Sequence, residues 1–389
     1  MAVSLPDRTR SNEAKALGIA MGTPIFKVRD LVREHRIAVH SSNYTLYGDM
    51  SRRVMCTLEQ FSPAVEIYSI DEAFVYLDGI AGDLVDLGQH IRQTVARHTG
   101  ISVSVGIGPT KTLAKVANKL AKKDLFRDGV LLLGGKDAID GALRDFSVGD
   151  VWGVGPRYGR MLKKHGITTA IALRDADLQW VRSKMTVMGL QTALELRSQR
   201  CFAAEMQPSP NQQIVRSRSF GKGVETLEDL SQAMAMHASR AAEKLRRQKL
   251  AASVMGVFIM TNRFRKDQKQ YSSSVSLKLA IPSDATDTLI ACALRGLRRI
   301  YKPGYVYKKA GVMLMDLSIA IGAPLSLFPE LQQPQSSPLD KTLDAINDRY
   351  GARTLQYAAV GFEHPWKMKR QFCSPRYTTR WSELPIAKA

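Results

Sequence analysis

Glu66-Ile67-Tyr68-Ser69-Ile70-Asp71-Glu72-Ala73-Phe74-Val75-Tyr76-Leu77 reads as two short strands with a tight connection between them. Both flanks are rich in β-branched and aromatic residues, the composition of strands. The carboxylates of Asp71 and Glu72 fall at the connection, among apolar neighbours. Adjacent acids in a solvated turn would need no partner. Acids leaving an apolar hairpin carry charge that is costly to desolvate, and a hard cation would balance it. Mg²⁺ suits such a pair, because it prefers one or two carboxylates plus substrate phosphates.

Upstream, Ala14 to Gly18 reads as a helix ending at glycine, Met21-Gly22-Thr23-Pro24 as a turn, and Ile25 to Arg33 as resumed apolar spacing. Leu46, Met50, Val54 and Leu58 recur every four residues, as on a helix face. Downstream, Leu84 to His98 has helical spacing, Ile101 to Gly108 alternates like a strand, and Thr110 to Lys123 is a basic amphipathic helix. A strand, a glycine turn and a lysine-bearing helix favour anions, although the Walker A spacing is absent.

Gly153-Val154-Gly155-Pro156 is a glycine hairpin followed by a proline suited to a first helical turn. That helix stops at Gly166, and Thr168 or Thr169 can cap another beginning near Ala170. Phe202 to Gln213 is a polar, proline-containing linker. Val215-Arg216-Ser217-Arg218-Ser219-Phe220 alternates with both arginines on one face, a rail for phosphates. Helix Leu230–Leu250, strands near 253–261 and 272–279, helix Ala285–Tyr301 and strand Lys309–Asp316 complete a β-α-β-β-α-β order. Residues 331–389 hold one helical stretch, Leu339–Tyr350, and a basic aromatic tail.

Charge divides the chain. Residues 1–150 hold 19 Lys+Arg and 18 Asp+Glu; of the chain's 56 and 36, the remainder therefore holds 37 and 18. A near-neutral first part before a strongly basic remainder suggests a site-bearing domain joined to domains that grip nucleic acid. Cys56, Cys201, Cys292 and Cys373 lie far apart without metal-ligand spacing, as in a reducing cytosol. No apolar run is long enough to span a membrane.

Ser69-Ile70-Asp71-Glu72-Ala73-Phe74 resembles the palm motif of the Y-family translesion DNA polymerases, and the run from Ser41-Ser42-Asn43-Tyr44 through Leu77 resembles their UmuC-type members. The resemblance continues from Ser11 to about Arg380. It implies an α+β multidomain hand. Residues 1–40 would be fingers, 41–140 palm, 141–205 a helix-hairpin-helix thumb, 206–213 a linker, 214–320 the β-α-β-β-α-β little finger, and 321–389 a partner-binding extension.

The activity implied is error-prone, template-directed DNA synthesis in the SOS response to DNA damage, by two-metal nucleotidyl transfer. By resemblance, Asp71 and Glu72 are catalytic metal ligands for Mg²⁺, and Lys15, Lys115 and Lys122 lie at the triphosphate. Gly153, Val154 and Gly155 offer backbone N–H groups to a DNA phosphate, joined by Arg216 and Arg218. Leu325, Leu327 and Phe328 resemble a sliding-clamp peptide in which Pro324 replaces the usual glutamine. Implied partners are primer-template and damaged DNA, deoxynucleoside triphosphates, a processed UmuD-type dimer, RecA and the clamp, in a bacterial cytoplasm.

One departure concerns the start. The family opens with a strand carrying an aspartate, and Met1 to Arg10 contains no such strand; Asp7 sits in a polar run. One permitted coding sequence for these residues, read two bases later, gives Gly-Cys-Val-Ile-Ala-Arg-Ser-Asn-Glu, the family's usual sequence there. The expectation is an internal start after a frameshift, a palm lacking its first strand, and a chain that has lost one metal. Such a chain would polymerise poorly or persist as a noncatalytic DNA-binding remnant.

Overall fold

The computed structural model describes residues 1–4, 10–122, 128–206, 210–265, 267–320, 338–368 and 371–387, with the backbone alone for 2–4 and 12. The chain forms two compact units: Met1–Pro208 together with Gln371–Ala389, and Ser209–Arg370.

The first unit is built on a five-stranded sheet. Its elements are β1 (Ala2–Ser4), α1 (Asn12–Ala16), α2 (Arg29–Glu34), α3 (Tyr44–Leu58), β2 (Val65–Ile67), β3 (Glu72–Val75), α4 (Leu84–Thr99), β4 (Ser104–Ile107), α5 (Lys111–Ala121) and β5 (Val130–Leu132). The strand order is β2-β3-β1-β4-β5, with β4 and β5 parallel. Alternation sends successive side chains to opposite faces. On β5, Val130 packs with Val54 of α3 and Ile91 of α4, while its neighbour Leu131 packs with Leu113 and Val116 of α5. The sheet is therefore covered on both faces.

The expectation of a missing first strand is corrected here. Ala2–Ser4 is a strand, and it occupies the centre of the sheet. It pairs antiparallel with β3 (Ser4 opposite Glu72) and with β4 (Ser4 opposite Ser104). Three extended residues satisfy two facing ladders at once, which a central position rewards more than any intrinsic propensity. The sheet's edges are β2 and β5, so no additional edge is opened between β3 and β4. These three positions carry no carboxylate, and Asp7 lies outside the described residues.

Four helices follow: α6 (Lys136–Arg144), α7 (Pro156–Lys164), α8 (Ala170–Asp175) and α9 (Leu178–Leu196), the last kinked at Thr186. Pro156 opens α7, and the Thr169 hydroxyl accepts from Ala172 N at the start of α8. Leu143, Leu162, Leu173 and Leu196 share one core with Leu113 of α5, which ties this helical layer to the sheet.

The second unit comprises β6 (Gln213–Val224), α10 (Leu227–Arg247), β7 (Leu250–Thr261), β8 (Ser272–Ser283), α11 (Thr286–Ile300), β9 (Tyr307–Ile319) and α12 (Pro338–Tyr350). The sheet order is β6-β9-β7-β8, and α10 and α11 pack on one face through Leu230, Met234, Leu289 and Leu297. The β-α-β-β-α-β reading holds.

The basic aromatic tail is not one element. Trp366 is 4% exposed in the core of the second unit, with its ring centroid 5.5 Å from that of Phe220. Residues beyond Gln371 instead belong to the first unit. There Ser41 N donates to Phe372 O at 2.8 Å and Asn43 Nδ2 to Ser374 O at 2.8 Å, just ahead of α3. Truncating a buried tryptophan costs about 3–5 kcal/mol. Trp366→Ala is expected to lower the chain's denaturation midpoint accordingly, read by urea unfolding; a change under about 1 kcal/mol would remove Trp366 from the core.

Candidate active site

The acidic connection is a tight turn closed by its own backbone. Tyr68 N and Ser69 N both donate to Glu72 O, at 3.1 and 3.0 Å. The Ser69 hydroxyl accepts from Asp71 N and donates to Asp71 Oδ1 at 2.5 Å, which fixes that carboxylate over the turn. Glu72 is the first residue of β3; it lies opposite Ser4 of β1, and on the other side its carbonyl closes the turn. Asp71 and Glu72 are both half-buried.

α5 brings the cations. A Cβ on Gly106 would lie 2.1 Å from Asn118 N and 2.3 Å from Ala114 O, so only glycine lets this helix lie so close to β4. Lys115 Nζ reaches Glu72 Oε2 at 2.6 Å and lies over the Tyr68 ring, 4.7 Å from its centroid. Lys122 caps the same helix seven residues on, in the same stripe as Lys115. One turn before Lys115, Lys111 pairs with Glu66 at 2.7 Å, both side chains nearly closed to solvent. Tyr76 Oη and Glu205 N also donate to Glu66. Burial raises the Glu66 pKa, but hydrogen bonds from Lys111, Tyr76 and the Glu205 amide, with the Lys111 charge, hold it below its ordinary value.

A second buried carboxylate secures the start of α5. Glu195, 1% exposed, accepts from Thr112 N at 2.8 Å and from Cys201 N and Phe202 N at 3.1 Å. It thereby joins the helix N-terminus to the end of α9 and the segment beyond.

The glycine hairpin abuts this site through its preceding residue. Trp152 Nε1 donates to Tyr68 Oη at 3.1 Å, and its ring contacts those of Tyr68, Phe74 and Phe202. Gly153 has φ +87, a conformation that favours glycine, and Val154 is buried.

The structure thus brings Asp71, Glu72 and Lys115 together, with Lys122 on the same helix and Gly153 to Gly155 beside the aromatic wall. Lys15 is exposed on α1, and no described contact joins it to the hairpin. Arg216 and Arg218 are exposed on β6 of the second unit. Leu325, Leu327 and Phe328 lie outside the described residues. Sequence reading missed Glu66, Glu195 and Trp152, whose partners lie 45, 83 and 84 positions away. Only the apolar setting of Glu66 in its strand hinted at a buried acid.

Among the described residues no group of three or more His, Cys, Asp or Glu converges as a metal cage. Mg²⁺ does not require one. Asp71 Oδ2 and Glu72 Oε1 take no part in the hydrogen bonds that hold Oδ1 and Oε2. Two hard carboxylate oxygens at the open end of a sheet fit a cation that completes its shell with substrate phosphates and water.

Comparison with known proteins bears on this arrangement. Residues 8–119 match the impB/mucB/samB family, 211–327 match its C-terminal domain, and 337–387 match a domain of unknown function (DUF4113). Protein SamB of Salmonella typhimurium is 42% identical over 384 residues, covering 97% of this chain and 90% of the relative. Protein UmuC of Salmonella typhimurium strain LT2 is 42% identical over 378 residues, covering 96% and 90%. Among solved structures, the Y-family DNA polymerase chimera Dbh-Dpo4(243-245)-Dbh has a TM-score of 0.59 at 20% identity, covering 79% of this chain and 86% of that one.

Proposed function

The chain belongs to the impB/mucB/samB family, and from that premise we propose that it is a Y-family DNA polymerase and how its site extends a primer. The function is UmuC-like, error-prone translesion DNA synthesis, a template-directed nucleotidyl transfer. Its substrates are primer-template DNA and nucleotides. The observation that carries the site assignment is the pair Asp71-Glu72 on a rigid hairpin with Lys115 at 2.6 Å.

Asp71 and Glu72 are the residues that would hold divalent metal. Divalent metal held there would supply activation of the primer hydroxyl and offset charge on the leaving pyrophosphate. The chain's own groups do the rest. Ser69 holds the Asp71 carboxylate in place over the turn. Lys115, paired with Glu72, sits where a triphosphate oxygen can take over its ammonium, and Lys122 extends that cationic stripe. The Tyr68, Phe74 and Trp152 rings pack against one another along one side of the hairpin.

Domain roles follow. Residues 41–140 act as palm, 141–205 as thumb with Gly153 to Gly155 on a DNA phosphate, and 214–320 as little finger with Arg216 and Arg218 on the backbone. Lys15 approaches the triphosphate from the fingers, the residues between β1 and position 40, while β1 itself belongs to the palm sheet. Leu325, Leu327 and Phe328 are anchors for a sliding clamp, and the C-terminal region serves a processed UmuD-type dimer and RecA. Among the described residues no helix is long and apolar enough to cross a membrane.

Primer extension with labelled deoxynucleotides, on undamaged and abasic templates, tests the function. Mg²⁺-dependent, template-directed lengthening is expected; no product, or a shortened primer, would refute it.

A further inference from the structure

In the second unit the two arginines of β6 are joined by further cations from the segment after α12. On edge strand β6, Ile214, Phe220 and Val224 enter the core beneath α10. Arg216 and Arg218 lie between them on the same face by alternation, yet both are exposed. They therefore point to the helix-bearing side of the sheet, away from its open face.

The segment after α12 delivers two more. Gly221 N donates to Trp366 O at 2.9 Å, and a Cβ on Gly221 would lie 2.8 Å from Lys367 O, so Lys367 is laid directly against β6. Arg353, at φ +82, donates from Nη2 to Met236 Sδ on α10 at 2.9 Å. The next residue on that helix, His237, is 4% exposed, and its Nε2 has no hydrogen-bond partner among the described residues. Burial, then Arg218 and Arg216, push the His237 pKa down to about 4.

Like charges are crowded here. The Arg353 pKa is lowered by burial, then by Arg240 and Arg218; that of Lys367 is lowered by Arg353, burial and Arg218. Arg240 has Glu243 as partner. Arg216, Arg218, Arg353 and Lys367 form no ion pair among the described residues. An anion placed among them relieves the repulsion and offers an acceptor to the orphaned imidazole.

We propose that Arg216, Arg218, Arg353 and Lys367 form a phosphate site on the helix-bearing side of the β6 edge that holds the backbone of a single nucleic-acid strand. That the ligand is nucleic acid rests on the polymerase reading. Guanidinium groups two residues apart on a strand are about 7 Å apart and bind successive phosphates of an extended chain by paired hydrogen bonds. The C-terminal segment thereby becomes part of the DNA track rather than only a partner-binding extension.

The test uses the full chain and a fluorescent oligothymidylate, with anisotropy followed across a salt series. Each phosphate contact on a single strand contributes about 0.7 to the slope of log affinity against log salt. Arg353→Gln with Lys367→Gln should lower the slope by about 1.4, and Lys367→Gln alone, at an exposed residue, by about 0.7. The His237 imidazole resonance should move on adding oligothymidylate to the wild type and stay still in the double variant. An unchanged slope, DNA binding that leaves His237 unmoved, or displacement by polyglutamate with no effect of the variants on DNA would overturn the proposal. A chain that fails to extend primers but shows the slope change refutes the polymerase reading and keeps this site. Normal extension with an unchanged slope refutes this site alone.

Discussion

Glu72→Ala is expected to reduce Mg²⁺-dependent primer extension by about a thousandfold or more, since metal-assisted charge stabilisation is worth several kcal/mol and each 1.4 kcal/mol is about tenfold in rate. Glu72 opens an internal strand, and its carboxylate is one of two at the turn. Its removal leaves Asp71 as the sole acid of the turn and releases Lys115 from its 2.6 Å partner. Both effects disfavour metal. The loss should fall on the maximal rate, while affinity for primer-template changes little. Glu72→Gln, which preserves shape and the hydrogen bond from Lys115, separates charge from packing; it should be nearly as inactive as the alanine variant. A glutamine variant with near-normal turnover would remove Glu72 from the metal site.

The second large effect concerns stability. Glu66 and Lys111 pair at 2.7 Å with side chains 7% and 8% exposed. Glu66→Ala takes the counter-charge from a nearly buried ammonium and leaves Lys111 Nζ with the Ala203 carbonyl at 2.7 Å, at a cost of about 3–5 kcal/mol, a large share of the 5–15 kcal/mol typical of a folded domain. Urea unfolding reads it directly. The pH dependence has a definite sign. The folded pKa of Glu66 is depressed, so its contribution is fully present above the ordinary carboxylate range and is lost as pH falls through and below that range. Wild-type stability should drop there, and Glu66→Gln should flatten part of that drop. Equal acid sensitivity in both proteins would show that the pair is not held as described.

How far the sequence disclosed all this depends on the length and range of each signal. The β-α-β-β-α-β order was legible because its strands and helices span 12 to 21 residues and carry sustained periodicity. Asp71 and Glu72 were legible because two acids interrupt an apolar hairpin. The strand Ala2–Ser4 was not, since three residues cannot display alternation and its formation depends on two partners far along the chain. The Lys115 to Glu72 pairing was hidden by 43 residues of separation, so the lysine was read for a triphosphate alone. The division of the basic aromatic tail between the two units is hidden for the same reason: Asn43 finds Ser374 across 331 positions, and nothing local marks Trp366 as core.

The central claim is that the turn bearing Asp71 and Glu72 is where divalent metal is held. Iron-directed cleavage tests it most directly: Fe²⁺ in place of Mg²⁺, with ascorbate and peroxide, cuts backbone beside the bound ion. Fragments ending within residues 66–77 are expected, suppressed by excess Mg²⁺ and abolished in Asp71→Ala with Glu72→Ala. Cleavage elsewhere, or cleavage in this stretch that persists in the double variant, would contradict it.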